Sequence, residues 1–248
     1  MNFRIYLQFF SKITLGLVFA AFLAGCAASP VSRGEISDPY EVQNRKVHKF
    51  NQRLDKNLVR PASNGYGTVI PAPVRQGVDN FAANAELPGM VLNNVLQFRI
   101  GKAMQNTVRF AINSTVGVLG LFDVASKAKV YEASTDFGET LAVYGFPEGN
   151  YLELPVLGPS TERAAVGTVV DYVLNPLKMV VRAPESRYLT GAKVLTLAGS
   201  RYTYSDLVDE VLYKSADSYA QARLLYLQSR RYSIDGIQED DYVDPYAN

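Results

Sequence analysis

The chain has 248 residues, a formal net charge of +1, one cysteine, one histidine and no tryptophan. A single cysteine excludes an internal disulfide, and one histidine with one cysteine excludes the clusters that bind structural zinc. A charge near zero argues against general binding to nucleic-acid phosphates. Hydrophobic residues make up 48% of the chain, which is enough for a buried core together with some surface that faces lipid.

Residues 1–25 have the features of a secretory signal peptide. Two basic residues, Arg4 and Lys12, precede the apolar run Ile13–Leu23. This run is too short to cross a membrane, because a spanning helix needs about 20 apolar residues. It ends in Leu-Ala-Gly before Cys26, the pattern of a bacterial lipobox in which Cys26 carries the lipid. The alternative is an ordinary secreted protein with an unrelated cysteine.

The rest of the chain divides into three parts. Residues 26–37 are small and polar and predict a flexible tether, residues 38–235 predict a single helical domain, and residues 236–248 predict an acidic, disordered tail. Ala27 follows Cys26 where aspartate would favour the inner membrane, so by resemblance to sorted lipoproteins we expect the outer membrane. Loss of the signal leaves 23 basic residues against 24 acidic ones, and a charge of −1 does not favour electrostatic binding to anionic lipid.

The N-terminal half predicts four helices. The first is expected to begin with Asp38 as its cap and to end at Arg60-Pro61, followed by a loop at Asn64–Gly67. A second begins at Pro71, Pro88 interrupts it before a short third helix, and a fourth begins after Gly101. Strand alternation is nearly absent along the chain, so the fold class predicted is all-α.

The segment Asn113–Val124 is unusual, because it is apolar and uncharged until Asp123 and contains Gly117 and Gly120. Two glycines so close together make a long helix unfavourable. Two interpretations stay open: a close-packed turn buried in the core, or a hairpin that dips into lipid.

The C-terminal half predicts a short helix, a second unusual segment and further helices. The short helix is capped by Ser134 or Thr135 and closed by Gly145. Phe146–Pro159 is too rich in proline and glycine for a helix and too apolar for a solvated loop, so it must pack against protein or lipid.

For the helices that follow, the sequence also predicts which side chains face inward and which face outward. Ser160 is expected to cap a helix that turns its apolar residues inward and stops at Asn175-Pro176. In the last helix, the arginines are expected to be solvated and the leucines to face partners. In the helix after Ser160, the residues expected inward are Val166, Val169, Val170, Val173 and Leu174. In the last helix, the residues expected to be solvated are Arg223, Arg230 and Arg231, and those expected to face partners are Ala222, Leu224, Leu225 and Tyr226.

A search for catalytic chemistry finds little. His48 could be a general base, although its position on the first helix favours a partly exposed structural residue. Glu132, Asp136 and Glu139 could form a carboxylate cluster, or Asp136 and Glu139 could simply complement a helix dipole. The nucleophile elbow, the P-loop and the dinucleotide fingerprint are absent from the sequence. We therefore expect no metal, no cofactor and no enzyme activity.

An ordered set of motifs resembles the MlaA family, also called VacJ. The matching residues are Asp38-Pro39, Asn44-Arg45, Phe50-Asn51, Arg60-Pro61, Pro73-Val74-Arg75, Asn80-Phe81, Asn93–Gln97, Arg109-Phe110, Asn113–Gly117, Leu121–Ala125, Asp136–Leu141, Tyr144-Gly145 and Leu154–Ser160. They cover roughly residues 38–175, and the final helix around Tyr219–Tyr232 is similar more weakly.

The resemblance implies both architecture and function. Members of this family are ring-shaped, donut-like assemblies of short amphipathic helices that lie in the periplasmic leaflet of the outer membrane and associate with trimeric porins. A central channel lets phospholipids misplaced in the outer leaflet move toward a soluble periplasmic carrier, which feeds an inner-membrane ABC transporter. The pathway maintains lipid asymmetry. The expected location is the outer membrane, lipid-anchored and facing the periplasm.

The residues expected to shape the channel or touch the membrane come from the two unusual segments. They are Asn113, Val116, Gly117, Val118, Gly120, Leu121 and Phe122, together with Tyr151, Leu152, Leu154 and Leu157. Two other hypotheses are kept: a porin accessory with no lipid path of its own, and an envelope hydrolase that uses His48 or the three acids.

Overall fold

The computed structural model describes residues 36–181 and 184–235. The predicted signal peptide, the lipidated Cys26, most of the predicted tether and the acidic tail lie outside the described residues. What the sequence predicts for these segments therefore remains a prediction.

Helices account for most of the described chain, with one β-hairpin among them, so the predicted helical fold class is confirmed. In chain order the elements are α1 (Glu41–Leu54), a π-helical segment π1 (Asp55–Val59), α2 (Arg60–Val69), α3 (Ala72–Leu96), α4 (Ile100–Thr115), α5 (Val124–Lys127), α6 (Phe137–Val143), β1 (Tyr151–Leu154), β2 (Gly158–Thr161), α7 (Glu162–Leu174), α8 (Pro176–Val180), α9 (Ser186–Thr203), α10 (Ser205–Asp209), a second π-helical segment π2 (Glu210–Lys214) and α11 (Ser218–Asp235).

The first predicted boundary is wrong, because α1, π1 and α2 follow one another without a break. Pro61 sits in the first turn of α2, directly after the π turn, where a missing N–H is tolerated. The predicted loop at Asn64–Gly67 is helical. A Cβ at Gly67 would overlap the ring of Tyr202, so this glycine allows α2 and α9 to pack closely instead of making a turn.

The second boundary is also wrong, because α3 runs unbroken through Pro88. A proline inside a helix costs about 3 kcal/mol, since it loses a hydrogen bond and crowds the preceding turn. Helix α3 contacts α4, α6, α8 and α9, and this extensive packing outweighs the local cost. Leu87, beside the proline, is only 1% exposed.

The β-hairpin is the element that the sequence pattern missed. Strands β1 and β2 are antiparallel, with Tyr151 opposite Thr161 and Leu154 opposite Gly158. Val156 in the connection and Gly158 at the start of β2 adopt positive φ angles of 70° and 80°. Four-residue strands that include Gly158-Pro159 show too little alternation to predict a sheet.

Contacts between elements form a closed circuit, in agreement with the ring-like arrangement that was expected. Each element touches the next in the order α1, β1, β2, α7, α6, α3, α9, α2 and π1, and π1 leads back to α1. Within the residues that the structure describes, no helix combines the length and apolarity that crossing a membrane requires.

Candidate membrane surface and polar interior

Burial in this protein is inverted relative to a water-soluble domain. Among the described residues other than glycine, eight hydrophobic residues are buried, against eighteen that are polar or charged. Many large apolar side chains are exposed instead, including Val116, Leu119, Phe122, Val156, Leu157, Val169, Tyr172, Val173, Met179 and Val180. An extensive apolar exterior is typical of a surface that meets lipid or another protein.

The interior is held together by side-chain amides and hydroxyls. Gln97 donates hydrogen bonds to Thr135 Oγ1 (2.7 Å) and Thr140 Oγ1 (2.8 Å), and Thr140 donates to Asn93 Oδ1 (3.0 Å). Asn106 accepts from the N–H of Ala133 and donates to its carbonyl oxygen, at 2.9 and 2.8 Å. Such bonds compensate for the cost of burying polar groups, and they leave the core polar.

The first unusual segment forms a tight turn whose backbone faces inward. The N–H of Gly120 donates to the carbonyl oxygen of Asn113 (2.7 Å), and the N–H of Ala125 donates to Asn113 Oδ1 (2.9 Å). Asn80 and Asn84 of α3 donate to the carbonyl oxygens of Leu121 (3.1 Å) and Leu119 (3.4 Å). The backbone is thus satisfied from the protein side.

The apolar side chains of this turn point away from the protein. We define Val116, Val118, Leu119, Leu121 and Phe122 as the first tip; their exposed fractions are 68, 54, 67, 43 and 62%. The interpretation as a turn with its side chains buried in the core is therefore wrong. Gly117 is buried against the backbone of Phe122 and Asn113, Gly120 is buried against the side chain of Asn84, and Asn113 is 3% exposed.

A partly buried ion pair supports the base of the first tip. Arg109 donates to Asp123 Oδ2 (2.7 Å), and Asn113 donates to Asp123 Oδ1 (3.1 Å). Burial opposes ionisation of Asp123, but the hydrogen bonds from Ser126, Asn113 and Arg109 bring its pKa down to about 2. Asp123 is therefore a carboxylate at neutral pH and a fixed partner for Arg109.

The second unusual segment forms the hairpin. Asparagine side chains of α1 hydrogen-bond to its backbone, as those of α3 do to the first segment. Asn44 donates to the carbonyl oxygen of Tyr151 (3.1 Å) and accepts from the N–H of Glu153 (3.0 Å). Asn51 donates to the carbonyl oxygen of Leu154 (2.9 Å) and accepts from Val156 N–H (2.8 Å).

The candidate residues of the hairpin separate into two groups. Tyr151 is 1% exposed and packs with Tyr219 and Leu227, so its ring is not available to lipid. Leu152 and Leu154 are half-buried. Val156 and Leu157, which we define as the second tip, are 70 and 69% exposed. The two tips rest on different helices, the first on α3 and the second on α1.

His48 is not the partly exposed residue that its position predicted. It is 4% exposed, with Nδ1 3.3 Å from Glu153 Oε1 and Nε2 3.0 Å from Ser218 Oγ. Serine, histidine and glutamate are thus aligned as in a hydrolase, but Ala220 N–H, close to Ser218, already donates to Asp217 Oδ1 (3.1 Å). An oxyanion hole needs donors that are free to bind the transition state, and the Ala220 N–H is already used.

The three acids do not form a cluster. Asp136, and neither Ser134 nor Thr135, caps α6 by accepting from Glu139 N–H, and it pairs with Arg230. Glu139 pairs with Arg99 and accepts from Thr135 (2.9 Å), whereas Glu132 is exposed. Within the described ranges, no group of three or more candidate ligands could hold a metal ion.

The assigned faces of the last helices are wrong in part: Val166 and Val170 are half-buried, and Tyr226 packs against the buried Tyr151, Tyr219 and Leu227, but other assignments fail. On α11, Arg223, Arg230 and Arg231 pair with Asp38, Asp136 and Glu148, whereas Leu224 and Leu225 are 44 and 46% exposed. On α7, capped by Thr161 and not by Ser160, Val169 and Val173 are exposed by 63 and 61%. Apolar stripes here face outward, and cations face the interior.

An apolar groove of about 270 Å³ lies beside the first tip. Helices α3 and α9 form its walls, and Arg187 stands at its edge. The apolar lining is Val78, Phe81, Leu121, Tyr188, Ala192 and Leu195.

Comparison with known proteins agrees with the geometry. The sequence matches the MlaA lipoprotein family over residues 36–233. The intermembrane phospholipid transport system lipoprotein MlaA of Shigella flexneri is 33% identical over 243 residues, which are 96% of this chain and 93% of that protein. An uncharacterised protein of Rickettsia felis is 35% identical over 201 residues, covering 81% of this chain and 79% of its own length.

A solved structure is also similar. It was described in work on the structural basis for maintenance of bacterial outer membrane lipid asymmetry, and it superposes with a TM-score of 0.68 at 29% sequence identity. The match covers 80% of this chain and 99% of that one. On the family match and these relatives, the chain is a member of the MlaA lipoprotein family.

Proposed function

We propose that this protein removes phospholipids misplaced in the outer leaflet of the outer membrane and passes them to a soluble periplasmic carrier. The observation that carries the proposal is the inverted burial: eighteen polar or charged residues inside, and exposed apolar side chains outside, among the described residues. Relatives at 32 and 33% identity are named as lipoproteins of the intermembrane phospholipid transport system, and this supports the proposal.

A moving phospholipid needs a polar route for its head group and an apolar surround for its acyl chains. The interior has hydrogen-bonding capacity to offer, because the side-chain oxygens of Asn84, Asn94 and Gln97 accept no hydrogen bond within the described part of the chain. The groove beside the first tip offers an apolar wall with Arg187 at its edge. Head group and tails can therefore contact the same protein at different places.

Anchoring is part of the proposal. Cys26 would carry acyl chains, and each buried CH₂ contributes about 0.8 kcal/mol, so two or three chains hold the protein on the membrane. The first and second tips would add apolar contact with one leaflet. We infer that the protein sits in the outer membrane and faces the periplasm.

The partners follow from the same route. A trimeric porin would contact the outward apolar surface. A periplasmic carrier would receive the phospholipid and deliver it to an inner-membrane ABC transporter. The protein itself would act as a conduit and not as an enzyme, since its ordered hydrogen-bonded interior suits binding and the contacts of His48 come without an identified oxyanion hole among the described residues.

Deletion of the gene tests the function. We expect phospholipid to accumulate in the outer leaflet and detergent sensitivity to rise, with recovery when the wild-type gene returns. Accumulation is measured by outer-leaflet-specific acylation of lipid A and by access of an external phospholipase. Normal asymmetry in the deletion strain would count against the proposal.

Photo-crosslinking separates the conduit from a porin accessory without a lipid path. A crosslinkable residue at Leu119 or Leu157 should capture phospholipid in cells. Capture of porin alone from both tips would favour the accessory.

A further inference from the structure

The outer face of α1 and π1 carries a row of basic side chains. Lys46, Lys49, Arg53 and Lys56 follow one another at spacings of three and four, which places them on one side of the helix. All four are exposed, and none forms an ion pair with a residue that the structure describes. Because the processed chain carries a net charge close to zero, these four cations are a local excess.

Three of them line a recess of about 610 Å³. Lys49, Arg53 and Lys56 stand on one wall, and residues 212, 213 and 215–219 form the other. Asp217 is the only carboxylate among the lining residues, and Arg45 neutralises it through two hydrogen bonds of 3.0 and 2.8 Å. Three positive charges in the recess are therefore left uncompensated.

The recess also contains neutral polar groups. Gln52, Ser215 and Ser218 lie among the cations, and their oxygens can accept hydrogen bonds from the hydroxyl or ammonium groups that a lipid head group carries beside its phosphate. A concave site with several cations suits a compact anion that enters it, and phosphate oxygens are the anions that lysine and arginine bind most strongly.

Apolar side chains flank the same row. Phe50 and Leu58 are 50 and 61% exposed; Phe50 directly follows Lys49, and Leu58 comes two residues after Lys56. Unpaired cations cannot face hydrocarbon without a large cost, so this edge of the protein lies at the level of lipid head groups or in water. Aromatic and aliphatic residues beside cations are typical of that boundary.

We propose that this recess, which we name the basic recess, binds the phosphate of a phospholipid head group. The proposal rests on the proposed function and adds a binding site to it. Lys49, Arg53 and Lys56 supply the charge, and the Arg45–Asp217 pair fixes the opposite wall.

Binding of a water-soluble head group tests the site. The full-length protein in a non-ionic detergent is titrated with glycerophosphoglycerol, which has the phosphodiester but no acyl chains, by isothermal titration calorimetry. Lys49→Gln with Arg53→Gln is expected to weaken binding at least tenfold. The matched control, Lys102→Gln with Lys127→Gln, removes two exposed cations elsewhere and is expected to leave the affinity unchanged.

Other outcomes overturn the site. Equal affinity in the two double variants would show that the recess is not where the phosphodiester binds. Binding of inorganic phosphate without binding of glycerophosphoglycerol would identify a free-anion site. If a hexaglutamate peptide binds through Lys49 and Arg53 and the phosphodiester does not, the recess docks an acidic protein.

Complementation distinguishes this proposal from the function beneath it. In the deletion strain, the recess variant is expected to leave more phospholipid in the outer leaflet than the control variant does. Full recovery with both variants would reject the recess and leave the function standing. Normal asymmetry in the deletion strain itself would reject the function.

Discussion

Asp55 and Arg201 form a two-bond ion pair inside the protein, although 146 residues separate them in sequence. Arg201 Nε lies 2.8 Å from Asp55 Oδ1, and Nη2 lies 2.9 Å from Oδ2. Burial opposes ionisation of Asp55, but hydrogen bonds from Arg201 and Tyr213 hold its pKa below the ordinary value. The pair joins π1 to α9, two members of the closed circuit, and so locks one side of the ring.

Arg201→Gln should destabilise the protein by about 3–5 kcal/mol, because removal of one partner leaves a buried charge uncompensated. Thermal unfolding in detergent measures the change. Arg45→Gln is the control, since Arg45 forms a similar two-bond pair with the exposed Asp217 and should cost about 1 kcal/mol or less. Equal losses in the two variants would show that burial does not determine the strength of these pairs.

Gly117→Ala tests the close approach beneath the first tip. A Cβ at this position would overlap the carbonyl oxygen of Phe122 and the backbone of Asn113. Overpacking of this kind costs about 1–3 kcal/mol. Gly65→Ala is the control: its Cβ meets open space within α2, so it should stabilise the protein by about 0.5–1 kcal/mol. Chemical unfolding of both variants checks the prediction, which fails if the two shifts have the same sign.

Asp123 should make stability depend on pH in the acid range. Its pKa is about 2 in the folded protein, below the ordinary value. Because the folded pKa is the lower one, the stabilisation is complete above about pH 4 and is lost as the pH falls through 2, in total about 2 kcal/mol.

Asp123→Asn measures this contribution. Its melting temperature should be below that of the wild type at pH 6, and the difference should shrink toward pH 2. Asp217→Asn is the comparison, because the pKa of Asp217 is also about 2 but the side chain is exposed. Added salt should reduce the effect at Asp217 far more than at Asp123; a pH-independent difference at Asp123 would reject the ion pair as its origin.

Val118→Asp should separate membrane contact from folding. Val118 is 54% exposed and has a φ angle of 53°, a conformation that aspartate adopts more easily than a β-branched residue. Stability in detergent should therefore be unchanged or higher, whereas lipid asymmetry in cells should fail. Val118→Leu, which keeps an apolar tip, should retain function. Full activity of Val118→Asp would remove the first tip from the mechanism.

Ser218→Ala tests the hydrolase hypothesis directly. The variant loses the hydroxyl that is bonded to His48 and should still restore lipid asymmetry in the deletion strain. His48→Ala leaves Glu153 buried without its histidine and should cost about 1–3 kcal/mol of stability. Loss of function in Ser218→Ala, at normal protein levels, would support catalysis.

The sequence was sufficient for the family, the helical class and the location of the two unusual segments. The helix ends predicted at Pro61 and Pro88 are wrong, because a π turn and tertiary packing overcome the local cost of proline in a helix. The hairpin was missed because its buried face carries Tyr151 and Glu153 in place of a regular apolar alternation.

The errors about side-chain direction have one physical origin. An apolar stripe predicts the buried face of a helix only when the outside is water. Here Val169 and Val173 are exposed, and Arg223 and Arg230 are paired. The asparagines that hold the tips could have been found from their spacing, since Asn80 and Asn84, and likewise Asn44 and Asn51, recur on one face of a helix.

Those asparagines hydrogen-bond to backbone atoms, and the side chains of the tips take no part in these bonds. The shape of each tip is therefore independent of which apolar residues it displays. Exchange of one exposed apolar residue for another at a tip is therefore expected to leave the backbone hydrogen bonds in place. The amide hydrogen bonds thus separate the fold of each tip from the apolar surface that it exposes.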